Sequence, residues 1–231
     1  MNSTKKDKNT NIVSKKSKKI ELILNAAQEL YESEGREKLT SEAVAEKLNM
    51  SSRGHIYHYF KSKRELWIAL RARYFQFLQN EFNRVEENHK GSNVDLLIKL
   101  MEKFLDFCAS NRRRFRFMFL MQPPPSKVLG PYESGMKVIR PFHLLDFVER
   151  IVEKAIDQGE IYKHNSFMLT AFLNQITLGT AMINHGFSRF PSSGNSTSEF
   201  EKVVREHKEF IRDNREFSLN QLRKFITMMK K

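Results

Sequence analysis

Cysteine is almost missing from this chain of 231 residues: Cys108 stands alone. It has no partner for an internal disulfide, which fits a reducing cytoplasm. Long apolar runs are missing too. Ile12-Val13 is too short for the apolar core of a signal peptide, and the longest apolar run, Phe117 to Met121, is far too short to cross a bilayer. A cytoplasmic protein with no membrane partner is therefore expected. Glycine and proline are scarce, at nine and six residues, so the breaks they make are few and informative. No Walker loop, Gly-x-Ser-x-Gly or paired-carboxylate signature is present, so neither an enzyme nor a cofactor is expected. The seven histidines are scattered. His55 and His58, three apart, could in principle share a metal, but no third ligand is near in sequence and no metal site is expected.

What the chain has in excess is positive charge. Forty Lys and Arg against 27 Asp and Glu leave a formal charge of +13 and a pI near 9.8, in the range of nucleic-acid binders. The first twenty residues hold seven Lys and one Asp. A basic arm of this kind either touches phosphates, releasing counterions, or is a disordered solubilising tail. Residues 1–14 are expected to be such an arm, disordered in isolation.

Helical spacing governs the rest. Ile20, Leu24, Ala27, Leu30 and Tyr31 predict a first helix from about Lys15 to Glu34, stopped by Gly35. Thr40-Ser41 offers an N-cap to a short helix carrying Val44, Ala45 and Leu48, with Glu42 near its positive end. Asn49-Met50-Ser51 reads as a turn, and a third helix is expected over about Ser52 to Tyr59. Ser62 with Glu65 forms a capping box that opens a long helix through Leu66, Leu70, Phe77, Leu78 and Phe82. Helices follow over Leu96 to Cys108, from Asn111 to the prolines at 123–125, over Val138 to Ile156 and over Ser166 to His185. The segments Pro123 to Pro131 and Ser192 to Ser198 read as loops, and capping boxes at Ser196 and Ser218 predict two closing helices. No alternating strand pattern appears. The expected fold class is all-α, with an N-terminal three-helix domain over 15–63 joined by a long helix to a helical bundle within 64–231.

The run from Leu48 to Lys63 joins a short turn to a helix start crowded with small polar and basic side chains. A helix entering the major groove must bring side chains near its N-terminus to base edges, so Ser51, Ser52, Arg53, Gly54 and His55 are chemically apt. A guanidinium can bond guanine O6 and N7 together, which makes Arg53 a base reader or else a phosphate contact. His55 follows the glycine that lets backbone approach the groove; its rival reading is a solvated histidine. Thr40, Ser41, Tyr57, His58, Lys61 and Lys63 complete the DNA-contacting set as phosphate partners, while Ile56, Phe60 and Leu66 are assigned to the core. Arg112-Arg113-Arg114-Phe115-Arg116-Phe117 interleaves charge with aromatics and could bind an anion, but the pattern also marks the solvated start of an amphipathic helix.

Ile23 to Tyr31, Gly35, Thr40 and the run Gly54-His55-Ile56-Tyr57-His58-Tyr59-Phe60-Lys61-Ser62-Lys63-Arg64-Glu65-Leu66 resemble the first helix, stop, cap and signature of the TetR family of bacterial transcriptional regulators. The resemblance is specific over residues 15 to 70; Ala155 to Ile161 and Gln175 to Gly179 echo the family's effector domain more faintly. Two departures stand out. The commonest family turn reads Gly-Val-Ser, whereas Asn49-Met50-Ser51-Ser52 lacks the glycine, and the family's Tyr-His-Phe here reads His58-Tyr59-Phe60. The resemblance implies a helix-turn-helix head and a ligand-binding and dimerisation domain. It further implies a homodimer on a pseudo-palindromic double-stranded DNA operator, acting as a repressor released by an apolar or amphipathic small molecule. The alternative is a DNA-binding architectural or partner-controlled protein with no small-molecule effector. Phe104, Phe107, Cys108, Met118, Phe119, Phe142, Phe172 and Gln175 are the candidate effector-binding residues, because Met and Phe give soft, large contact surfaces; each taken singly is also a plain core residue. Leu173, Ile176 and Ile183 are the candidates for the dimer seam, with intramolecular core as the rival.

Overall fold

The computed structural model describes residues 3–128, 130, 142–187 and 198–229, with side chains from residue 15 onward in the first helix. All regular structure among them is helical: α1 Ser3–Glu34, α2 Ser41–Lys47, α3 Gly54–Tyr57, α4 Lys63–Glu87, α5 Asn93–Ser110, α6 Arg112–Phe115, a π-helical turn Arg116–Leu120, α7 Phe142–Asp157, α8 Ser166–Phe187 and α9 Ser198–Met228. The chain divides into two compact units, 1–74 with 116–139, and 75–115 with 140–231. This division differs from a boundary at residues 63 and 64. The first half of α4 completes the head, and the segment after α6 belongs to that unit as well.

In the first unit, α1 is helical from Ser3, where the sequence leads one to expect a disordered arm over 1–14. Lysine is a good helix former, and extending an existing helix avoids the cost of nucleation. Gly35 ends α1 at φ 89°, and the Thr40 hydroxyl caps α2 by accepting from the Ala43 N–H at 3.1 Å. Ile23, Ala27, Val44, Ile56, Phe60, Leu66 and Leu70 are buried together as the core of this head. The Ser62 hydroxyl accepts from the Glu65 N–H at 3.0 Å, and the buried Glu65 carboxylate accepts in return from the Lys61 N–H. Gly130 is packed against that carboxylate, where any Cβ would overlap it.

Phe117, fully buried, enters the head from the π-turn. Its ring meets Trp67 at 4.3 Å, Tyr31 at 4.6 Å and Tyr74 at 5.6 Å. Four aromatic rings in edge and tilted contact are each worth more than their area alone, so this cluster fastens segment 116–121 to α1 and α4. Phe115 and Phe117 point inward while Arg112, Arg113 and Arg116 stay exposed, which is the solvated-face pattern of the Arg-Phe run.

In the second unit, α5 is the central helix, packed against α7, α8 and α9. Val94, Leu97, Leu100, Met101, Phe104, Leu105, Phe107 and Cys108 are all buried along it. Asn111 does not cap α6 with its side chain; that amide donates to the Phe107 carbonyl at 3.1 Å and closes the end of α5 instead. The Ser92 hydroxyl caps α5 and the Asn165 carboxamide caps α8. Glu86 on α4 receives both guanidinium nitrogens of Arg150 at 2.8 Å, and this pairing holds its carboxyl below the usual carboxylate range. The two closing helices expected from capping boxes are one continuous α9 over its described span. Ser218 lies buried within it, its hydroxyl bonded by Thr180 at 2.8 Å, so this serine is a helix-to-helix tie rather than a cap. The Ser196 box and the Ser192 loop lie outside the described residues, as does the start expected at Val138.

Candidate nucleic-acid interface

The geometry of the interface begins at the turn between α2 and α3. Asn49 sits at φ 51°, the left-handed conformation in which glycine is common and asparagine is the usual substitute. The residue that departs from the Gly-Val-Ser turn therefore does the glycine's work. Met50 N–H bonds the Ala45 carbonyl at 2.9 Å, turning the chain outward. α3 proper is a single turn, Gly54–Tyr57, shorter than the helix expected over Ser52 to Tyr59, but helical-type bonds extend it at both ends. His55 N–H reaches the Ser52 carbonyl, and the Tyr59 and Phe60 N–H groups both reach Ile56.

Ile56 and Phe60 are fully buried, as the sequence led us to assign them, and this anchors the orientation of the turn. With those two positions inward, Ser51, Ser52, Arg53, Gly54, His55, Tyr57, His58 and Lys61 all face solvent on one run. Thr40 and Lys63 are half-buried beside them; the Thr40 oxygen accepts from the α2 backbone, and its O–H remains available to a phosphate oxygen. Ser41 differs from the rest of the set. It is buried as the first residue of α2, so it is set aside as a phosphate contact.

Arg53 carries a feature that sequence reasoning missed. Its Nη1 donates to the Glu42 carboxylate at 2.7 Å, with both side chains more than half exposed. The Arg53 hydrogen bond, with Arg53 and Lys63 charges adding to it, holds the Glu42 carboxyl below its ordinary value. No local pattern announces a pair eleven residues apart across the turn. Solvent screens a pair this exposed, so the guanidinium is positioned without being locked. His55 and His58 lie with ring centroids 6.3 Å apart, and no group of three metal-ligating residues occurs among the described residues.

The candidate effector residues fall in both units. Phe104, Phe107 and Cys108 are core residues of α5, and burial pushes the Cys108 thiol up so that it behaves as a small hydrophobe. Met118 and Phe119 belong to the other unit. Phe172 and Gln175 are exposed on α8, where Phe172 meets Phe225 of α9 at 4.8 Å. The Phe142 side chain lies outside the described residues. Phe172 instead helps to line an open groove of about 640 Å³ with Ile176, Phe225 and Met228. Leu173, a seam candidate, is buried within its own unit, whereas Ile183 is exposed and Ile176 half-buried.

Residues 23–70 match the family of bacterial regulatory proteins, tetR family. Among solved structures, the chain is similar to a putative fatty acid metabolism regulator of Clostridium perfringens, with 21% identity over 84% of this chain and 97% of that one and a TM-score of 0.52. It is also similar to a TetR/AcrR-family transcriptional regulator of Thermobifida fusca YX-ER1, with 18% identity over 88% and 97% and a TM-score of 0.57. A third is AibR in complex with isovaleryl coenzyme A and operator DNA, with 18% identity over 81% and 94% and a TM-score of 0.51. At these identities the likeness is one of fold. No curated protein matches the sequence.

Proposed function

From the match of residues 23–70 to the tetR family of bacterial regulatory proteins, we propose that this chain is a ligand-responsive repressor of transcription of that family. It binds a pseudo-palindromic operator as a cytoplasmic homodimer and leaves the DNA when a small molecule occupies it. The observation that carries this reading is the solvent-facing run Ser51 to Lys61, held in register by fully buried Ile56 and Phe60. Arg53 and His55 read base edges; Thr40, Tyr57, His58, Lys61 and Lys63 take phosphates.

The dimer reading is supported by large apolar side chains that α8 and α9 leave in water: Phe167, Met168, Met182 and Ile183 on the first, Phe217 and Met228 on the second. Such a concentration supports an association surface. By composition and length alone, Ser166–Gly186 would also pass for a membrane span. A helix seam between protomers accounts for the same exposed residues and keeps α8 packed on α5 and α9.

Release requires the ligand to favour a conformer in which α4 tilts, because α4 runs without a break from residues of the head into the second unit. Tilting it would spoil the matched spacing of two recognition helices, about 34 to 36 Å for one duplex turn. The test is linkage. A ligand that weakens operator binding by about 1 to 3 kcal/mol must itself bind the DNA complex more weakly by the same amount. Equal ligand affinity for free and DNA-bound protein would overturn allosteric release and leave the effector-free alternative.

A further inference from the structure

Among the described residues of the N-terminal unit, four buried side-chain atoms lack a hydrogen-bond partner, Ser41 Oγ, Trp67 Nε1, Arg71 Nε and Arg73 Nη1, and two of them, on Trp67 and Arg71, share one face of α4. Arg64, Trp67 and Arg71 follow one another at three and four residues, so they share a side of the helix. That side meets the segment after the π-turn: Arg71 donates through Nη2 to the Met121 carbonyl, Arg64 donates to the Pro124 carbonyl at 3.3 Å, and Trp67 stacks on Phe117. Arg71 Nε is nevertheless buried with no acceptor, and no described carboxylate forms an ion pair with this guanidinium. Trp67, only 1% exposed, has its Nε1–H buried without an acceptor as well. Burial, and after it the neighbouring Arg64, bring the Arg71 ionisation down, while the Arg36 guanidinium lies 5.5 Å from the Trp67 ring and adds a further positive charge. The Glu65 carboxylate, on the other side of the helix, is bonded by the Lys61 N–H.

Buried donors in native proteins are normally paired, and a buried charge normally has a counter-ion. We propose that this face of α4 is a carboxylate-binding site, in which the Nε–Nη edge of Arg71 takes both oxygens of a small organic acid. Arg64 supplies a second positive charge, and Trp67, Phe117 and Met121 give the acid's hydrocarbon part an apolar wall. A planar guanidinium edge, here Nε–H with the second hydrogen of the Nη2 that serves Met121, matches two carboxylate oxygens, whereas a phosphate dianion calls for more donors than one edge offers. In naming the head group of the effector, this inference rests on the reading of the chain as a ligand-responsive regulator.

Trp67 is the only tryptophan, so its fluorescence reports on the site directly. Sodium octanoate is titrated into the full-length protein, with 1-octanol and inorganic phosphate as controls. A saturable change with octanoate alone is expected. Arg71→Met should bind it about ten- to a hundred-fold more weakly, the loss of charge-assisted hydrogen bonds. In the absence of ligand the same variant should melt no lower than the parent, because the methionine removes a half-buried guanidinium whose Nε has no acceptor. Should Arg71→Met fail to fold, Arg71→Lys keeps the charge without the fork and should bind with intermediate affinity. An equal response to octanol, preference for phosphate, undiminished binding by Arg71→Met, or no saturable change would each overturn the site. Operator release is scored separately. Octanoate binding without release overturns only the effector role, and release by other compounds without octanoate binding overturns only this site.

Discussion

The two units use the same apolar residue types with different outcomes. In the head, nearly every aromatic or aliphatic residue that the helical period assigns inward is buried, from Ile23 to Leu70, and the exposed remainder is mostly polar and charged, with Leu22 and Val128 the apolar exceptions. In the second unit the α5 stripe is equally well buried, yet α8 and α9 leave Phe167, Met168, Phe217 and Met228 in water. One unit closes its apolar core on itself; the other displays a face whose composition calls for cover. On the proposed reading, a head which meets DNA finishes its own core, whereas a unit that pairs through helices leaves part of its apolar surface for a partner.

The largest effect should come from Phe117→Ala. It empties the centre of the cage formed by Tyr31, Trp67 and Tyr74 and should destabilise the head by about 3 to 5 kcal/mol, read as a fall in melting temperature with a change in Trp67 fluorescence. Phe217→Ser sharpens the contrast from the other side. At 63% exposure it should leave the melting of a dilute monomer nearly unchanged, yet weaken the dimer by about 1.5 to 3 kcal/mol per buried ring, measured by light scattering across a concentration series. A parent protein that stays monomeric at micromolar concentration would break the comparison outright.

On DNA the expected effects are smaller and differ in kind. Arg53→Ala should cost about 1 to 3 kcal/mol mainly on the cognate site, while Lys63→Ala should weaken all sequences and flatten the salt slope by about one unit. Equal losses by Arg53→Ala on specific and random duplexes would contradict base reading. Smallest of all, Glu42→Gln removes the partner of Arg53 and should leave the melting temperature nearly unchanged, while raising non-specific DNA affinity about two- to three-fold. The carboxyl is held below its ordinary value in the folded state, so whatever the pair contributes is present above the unfolded pKa and fades as pH falls through the lowered one.

Much of the head was legible because its signals are local. Thr40 caps α2, Gly35 ends α1, Ser62 with Glu65 opens α4, and the burial of Ile56 and Phe60 follows from spacing alone. Ser41 was read wrongly for want of one fact, which way the first turn of α2 faces. Asn49 departed from the family turn in letter and keeps it in conformation, a substitution that φ reveals and composition does not. The second unit was less legible because Phe and Met serve core, groove and seam alike. Phe104 and Phe172 look equivalent in the sequence, yet one is closed into α5 and the other lies open against Phe225. Ser218 shows the same limit. Its capping pattern is sound, but Thr180, 38 residues away, claims the hydroxyl.

The central claim is that two copies of this head read one operator, and selection from a random duplex pool followed by footprinting tests it most directly. The account predicts an enriched site of two inverted half-sites whose centres lie about 34 to 36 Å apart, with protection lost when either half is scrambled. Enrichment of a single asymmetric site, or retention of DNA with no sequence preference at all, would contradict it.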